Sequence, residues 1–95
     1  MACYRLLTNG LKIQWGIKNP TNSNAQTVTF FINYNNPPIV EAKPRNNNND
    51  SYQLINFTCN IQTITTSYFK EQGTRGYHDN SVIDNTSFSW LAIGY

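Results

Sequence analysis

The side chains best suited to binding chemistry lie close together in one polar stretch, residues 73–84. It contains a cation, an aromatic ring, an imidazole, a carboxylate and an amide: Arg75, Tyr77, His78, Asp79 and Asn80. A sugar has a face of C–H groups on which an aromatic ring can pack, and a rim of hydroxyls that polar side chains can hydrogen-bond. These residues therefore form a candidate carbohydrate-binding loop.

Two other interpretations of the same stretch stay open. It is an ordinary polar loop if Tyr77 lies half-buried against a sheet and His78 caps a backbone carbonyl. Alternatively, His78 meets its copies on a threefold axis and binds a metal. A structural zinc site takes about four ligands, and two cysteines and one histidine per chain fall short of that number. The sequence thus predicts no metal and no cofactor.

Catalysis finds little support in the sequence. The chain has five acidic residues, one histidine and no nucleophile motif. Glu41 and Glu71 have no obvious partner for general acid–base work. A glycosidase would need a longer chain to form a cleft around two carboxylates. We therefore expect no catalytic residues and no enzyme.

Composition limits the partners and the size of the protein. The 95 residues predict a single domain spanning 1–95. Charged residues make up 13% of the chain, about half the usual share. The net charge of +2 comes from scattered basic residues, which argues against nucleic acid as a partner. No apolar run approaches the ~20 residues of a membrane span, and the first residues are too polar for a signal peptide.

The elements that position the polar stretch alternate with period two. In residues 11–18 the odd positions are apolar, which indicates a half-buried strand. Asn9-Gly10, just before it, favours a type I′ hairpin turn to a partner strand over Tyr4–Leu7. Further strands are predicted at 28–34, 39–42, 52–57, 61–69 and 88–95, separated by Pro, Gly and Asn turns.

The predicted fold is all-β, a small antiparallel β-sandwich of about six strands. Four aromatic residues are predicted to form its core: Trp15, Phe30, Phe88 and Trp90. The last strand is apolar on both faces, so it is either central or packs against another subunit. Cys3 and Cys59 are interpreted as two buried free thiols, although a disulfide between them stays open.

Two segments together resemble a known family. Asn9–Gly16 and the closing Phe88–Tyr95 are similar to the first and last strands of the C-terminal domain of phage tail-fibre proteins, and their spacing also fits. The resemblance covers nearly the whole chain. It implies a receptor-binding tip, assembled as a homotrimer.

The middle of the chain is similar to the related H-type lectins. Val28-Thr29-Phe30, Tyr34 and Pro37-Pro38-Ile39-Val40 resemble their second and third strands. Tyr77-His78 occupy the place of an aromatic–histidine pair in their sugar-binding loop. The lectins usually have Trp at the position of Tyr77 and a further aromatic at that of Ile83, so galactosamine-type specificity is not carried over. This resemblance implies sugar recognition near subunit boundaries.

The sequence therefore predicts a tail-fibre knob that binds a host cell-surface glycan, is carried on the virion and is assembled in the host cytoplasm. Its trimer interface is predicted at Leu91, Ile93 and Tyr95, unless these form a second layer of the same subunit's core. One alternative is a free-standing extracellular lectin, and another is a trimerisation cap without a ligand. A start at Met1 with no shaft suggests a separate small reading frame or a fragment.

Overall fold

Two antiparallel sheets form the described part of the chain in the computed structural model, which covers residues 2–22, 24–45, 55–77, 80–83 and 86–95. The strands are β1 (Ala2–Leu6), β2 (Lys12–Lys18), β3 (Gln26–Thr29), β4 (Ile39–Pro44), β5 (Ile55–Ile64), β6 (Tyr68–Tyr77), β7 (Asn80–Ile83) and β8 (Phe88–Gly94). Among these residues, no helix is long and apolar enough to cross a membrane. The predicted all-β sandwich is confirmed, with eight strands described.

The strand order places β8 at the centre of one sheet and β6 at the centre of the other. Sheet A has the order β1-β2-β8-β4, and sheet B has the order β3-β6-β5. β6 pairs with β5 along one edge, while its other edge pairs first with β3 and then with β7. β8 thus has a partner strand on each of its two edges. The prediction that the last strand is central in its sheet is confirmed.

Aromatic rings from both sheets fill the space between them. Phe30, Phe69, Phe88 and Trp90 are all buried. Phe69 packs against Trp90 with ring centroids 5.7 Å apart and an interplanar angle of 65°, and Phe30 lies 5.8 Å from Phe69. The prediction that Phe30, Phe88 and Trp90 belong to the core is therefore confirmed.

The prediction that Trp15 belongs to the core is wrong. Trp15 is 39% exposed, because β2 turns its odd-numbered, apolar side chains away from sheet B. The face of β2 that points inward carries Gln14 and Gly16, both buried. Alternation shows that the odd residues share a face, but it does not show which sheet surface that face lies on.

Gln14 is tolerated in the core because all of its polar atoms are used. Its Oε1 accepts hydrogen bonds from the backbone N–H of Phe31 at 2.7 Å and of Ile32 at 3.3 Å, and its Nε2 donates to the carbonyl of Ile32 at 2.8 Å. A buried amide with satisfied donors and acceptors avoids the usual cost of burying a polar group. Gln14 therefore fixes the backbone that follows β3.

This contact explains why the strand predicted at 28–34 is shorter than expected. β3 ends at Thr29, after which the backbone N–H of Phe30 bonds Ser67 and that of Tyr34 bonds Thr66. The hydroxyl of the buried Tyr34 donates to the carbonyl of Ala92 at 3.1 Å, which ties the segment to β8.

Three other predicted elements differ in detail. The Asn9-Gly10 hairpin exists, but Leu7 and Leu11 close a three-residue loop in which Gly10 has φ of 89°, in place of a type I′ turn. The strands predicted at 52–57 and 61–69 are replaced by β5 and the first part of β6, with a bulge between Ile61 and Thr63. Residues 52–54 lie outside the described residues.

Candidate functional site

The polar stretch at 73–84 forms a hairpin in its described part, where the sequence predicts a loop. β6 continues to Tyr77 and β7 begins at Asn80. The last part of β6 contains two glycines and many polar residues, so its sequence shows no apolar alternation. It is held by backbone pairing, since β6 has β5 on one edge and β7 on the other.

The hairpin brings together three of the five predicted sugar-binding residues. Tyr77 is the register partner of Asn80, and Arg75 is the partner of Val82. The backbone register thus places Tyr77 and Asn80 opposite each other at the end of the hairpin. His78 and Asp79 lie outside the described residues.

The three residues predicted at the trimer interface lie on a second, apolar surface. The outer face of sheet A carries six apolar side chains: Ile13, Trp15, Ile17, Ile39, Leu91 and Ile93. Ile93 pairs with Ile13 on one side and Ile39 on the other, while Leu91, 42% exposed, pairs with Trp15. Tyr95 borders the face, where it lines a groove of about 380 Å³ with Ile39 and Ile93.

Four members of this face are absent from the predicted interface: Ile13, Trp15, Ile17 and Ile39. The pattern of residues 11–18 already groups three of them on one side of a strand, but it does not distinguish a core from a subunit contact. Soluble monomers rarely expose contiguous apolar patches of this kind. In the sequence, the signal for this outer surface is that both faces of β8 are apolar. Its partner strands β2 and β4 contribute to the same outer face.

A buried acid and a thiol form a polar pair between the sheets. Glu71 is 1% exposed, and its Oε1 has no hydrogen-bond partner. Burial raises the pKa of this carboxyl above its ordinary value of 4.5, an effect that a hydrogen bond with Cys59 partly opposes. Burial, and then the neighbouring Glu71, raise the pKa of the Cys59 thiol to about 12. Cys59 is therefore a protonated thiol and not a nucleophile.

We expect the free energy of unfolding to fall as the pH rises from 4.5 through the folded-state pKa of Glu71. Below 4.5 the carboxyl keeps its proton in both states. Above that pH the unfolded chain ionises while the folded chain does not, so the unfolded state gains stability. Urea titrations at one protein concentration, from below pH 4.5 to mildly alkaline pH, measure the effect.

The variant Glu71→Gln removes the ionising group, so its stability should depend less on pH than that of the wild type. Parallel curves for Glu71→Gln and wild type would show that the buried carboxyl does not cause the effect.

Neither cysteine forms a disulfide, and the described residues contain no cluster of three or more potential metal ligands. Cys3 lies on β1 in sheet A and Cys59 on β5 in sheet B, so the two thiols belong to different layers. Both are half-buried. The interpretation as free thiols is confirmed, but neither thiol is fully buried as predicted.

Solved tail-fibre structures share this fold. The N-truncated R1-type pyocin tail fiber is 16% identical, with a TM-score of 0.68, and the match covers 100% of this chain and 86% of that one. The N-truncated R2-type pyocin tail fiber is 18% identical, with a TM-score of 0.66 and 38% of its chain covered. The P. aeruginosa R2 pyocin fiber is also 18% identical, with a TM-score of 0.65 and 26% covered.

The sequence itself gives the family. No curated protein sequence matches the chain significantly. The model of the family described as tail fiber protein gp53-like, C-terminal, matches residues 5–95. The predicted resemblance to phage tail-fibre C-terminal domains is confirmed, and the chain belongs to the gp53-like tail fiber C-terminal family.

Proposed function

We propose that this domain, residues 1–95, is the receptor-binding knob of a phage or prophage tail fibre and binds host surface carbohydrate reversibly. The observation that carries the proposal is the register of the β6–β7 hairpin, which pairs Tyr77 with Asn80. An aromatic ring suits the apolar face of a sugar, and an amide suits its rim of hydroxyls. His78, Asp79 and Arg75 complete the proposed site.

Three copies of the chain act together in this proposal. The outer face of sheet A supports assembly, because the single chain leaves four of its large apolar side chains exposed: Trp15, Ile17, Ile39 and Leu91. A single sugar site of this kind binds with roughly millimolar affinity. Three sites on one tip raise the effective affinity by ~10²–10⁴ when they engage one surface. In this proposal the homotrimer is assembled in the host cytoplasm and is then carried on the virion. Its three sites together attach the virion to a host cell.

The test is an array of bacterial surface glycans probed with wild type, Tyr77→Ala and Tyr77→Phe. We expect wild type to bind, Tyr77→Ala to lose about tenfold or more in affinity, and Tyr77→Phe to keep most of it, because the phenyl ring still packs on the sugar. Circular dichroism confirms that each variant is folded.

A trimerisation cap without a ligand is the second candidate, because the outer face of sheet A suits assembly whether or not a sugar binds. If neither wild type nor variant binds any glycan, the carbohydrate proposal is wrong and the cap is left as the candidate. Equal binding by wild type and Tyr77→Ala would reject the hairpin as the sugar site.

A further inference from the structure

Among the described strands, charged side chains on the outer face of sheet A lie only on the two edge strands. Arg5 of β1 is in register with Ile13, and Glu41 of β4 is in register with Leu91, two residues from Lys43. The middle strands β2 and β8 place no charge on this face. An apolar centre with a polar rim is typical of protein interfaces. We propose that three copies of the chain meet head to tail, with Arg5 of each copy paired to Glu41 of the next.

The symmetry of the assembly determines which edges meet. Copies related by a threefold axis contact each other through two different surfaces, so each copy offers one edge to each of its neighbours. Ile13, Trp15 and Ile17 line up along β2, beside Leu91 and Ile93 on β8. This apolar stripe runs along the strands, and it is buried when the strands lie along the axis. The β1 edge of each copy then faces the β4 edge of the next.

The strand β1 is incompletely covered in the single chain. It is an edge strand whose one partner in the described part of the chain is β2. Arg5 is exposed on the outer face, and Tyr4 and Leu6, on the opposite face, are 52% and 55% exposed. An edge strand that exposes apolar side chains offers a surface to another chain. A second copy seated against β1 covers it.

The charges of the two edges can pair between copies but not within one chain. Three strand spacings, about 14 Å, separate β1 from β4 in sheet A, which is too far for an ion pair. In the ring the two edges of neighbouring copies are adjacent. Arg5 lies in the row of Ile93 and Glu41 in the row of Leu91, two residues or about 7 Å apart along the strands. Long side chains span such a diagonal, and a guanidinium binds a carboxylate with two hydrogen bonds.

The cation that the β4 edge also carries has no such partner. Lys43 lies in the row of Ile17. The pairing of β1 with β2 ends one residue earlier, at Ala2 and Gly16. Lys43 therefore extends past the described end of β1, and its charge is not part of the proposed pairing. It serves as a control, since it lies on the same strand and the same face as Glu41.

This pairing rests on the proposed homotrimer and is tested by charge reversal. Arg5→Glu and Glu41→Arg each place like charges at all three contacts, whereas the variant that carries both restores opposite charges. Light scattering of the 95-residue chain over a dilution series gives the concentration at which the trimer dissociates. We expect each single reversal to raise this concentration about tenfold or more, and the double variant to return it close to that of wild type. Added salt should reduce the effect of each single reversal.

The control variant Lys43→Glu should keep the dissociation concentration of wild type. An effect as large as that of Glu41→Arg would reject the specific pairing. Arg5 and Glu41 are both exposed in the single chain, so circular dichroism should show the same β-sheet spectrum in every variant.

The other outcomes separate the ion pair from the trimer and from the sugar site. Unchanged dissociation in both single reversals, or no recovery in the double variant, would reject the pairing and leave the trimer standing. A wild-type mass of two chains would replace the ring with a twofold contact and overturn the head-to-tail arrangement. A wild type that stays monomeric would reject the trimer and the pairing together, and the glycan array still tests the sugar site by itself.

Discussion

Replacing Trp90 with alanine is expected to remove a large part of the stability of the fold. The indole is buried between Phe69, at 5.7 Å, and Phe30, at 6.1 Å, and so joins the two sheets. Truncating a buried aromatic costs about 3–5 kcal/mol. Small domains have only about 5–15 kcal/mol of stability in total. The melting temperature, followed by circular dichroism, should fall by at least about 12 °C.

Trp15→Ala is the matched control, since it removes the same side chain from the other surface of the same sheet. Trp15 lies outside the core, so its loss should leave the β-sheet spectrum of the dilute chain largely unchanged. Equal losses of stability in the two variants would contradict the division of sheet A into a core face and an outer face.

The substitution Ile93→Asp is expected to dissociate the proposed homotrimer. Ile93 lies in the middle of a row of three isoleucines on the outer face of sheet A, with Ile13 and Ile39 as its register partners. A buried, unpaired carboxylate at a subunit contact costs several kcal/mol. Light scattering should give three times the 10.9 kDa chain mass for wild type and a monomer or an aggregate for Ile93→Asp.

Leu91→Asp repeats the test at a second position on the same face, with the same expected result. Thr27→Asp adds the same charge to an exposed position of sheet B and should leave the trimer intact. A trimer that survives in both Ile93→Asp and Leu91→Asp would place the interface elsewhere. A wild-type chain that stays monomeric at high concentration would contradict the assembly itself.

The strands of this protein are more predictable from its sequence than the faces they present. Alternation correctly identifies β2, because a half-buried strand repeats every two residues. The strands predicted at 39–42 and 88–95 also exist, as β4 and β8. It assigns the apolar side of β2 to the core, and this assignment is wrong. The core side carries Gln14, whose amide is satisfied by backbone groups of residues 31–32. A contact so distant in sequence leaves no local pattern.

The candidate site is predictable in composition but not in form. Its residue types predict sugar binding. The glycines at 73 and 76 leave no apolar alternation, so the sequence predicts a loop where the structure has the β6–β7 hairpin.

The position of β8 between β2 and β4 has a consequence for how the chain folds. β8 comes later in the sequence than every strand that it joins, so the two halves of sheet A have no connection until it docks. Closing such long loops is slow, whereas the β5–β6 hairpin forms from neighbouring residues. Sheet B is therefore expected to form early, and sheet A, with its outer face, late. The outer face of sheet A therefore becomes continuous only after β8 has docked between β2 and β4.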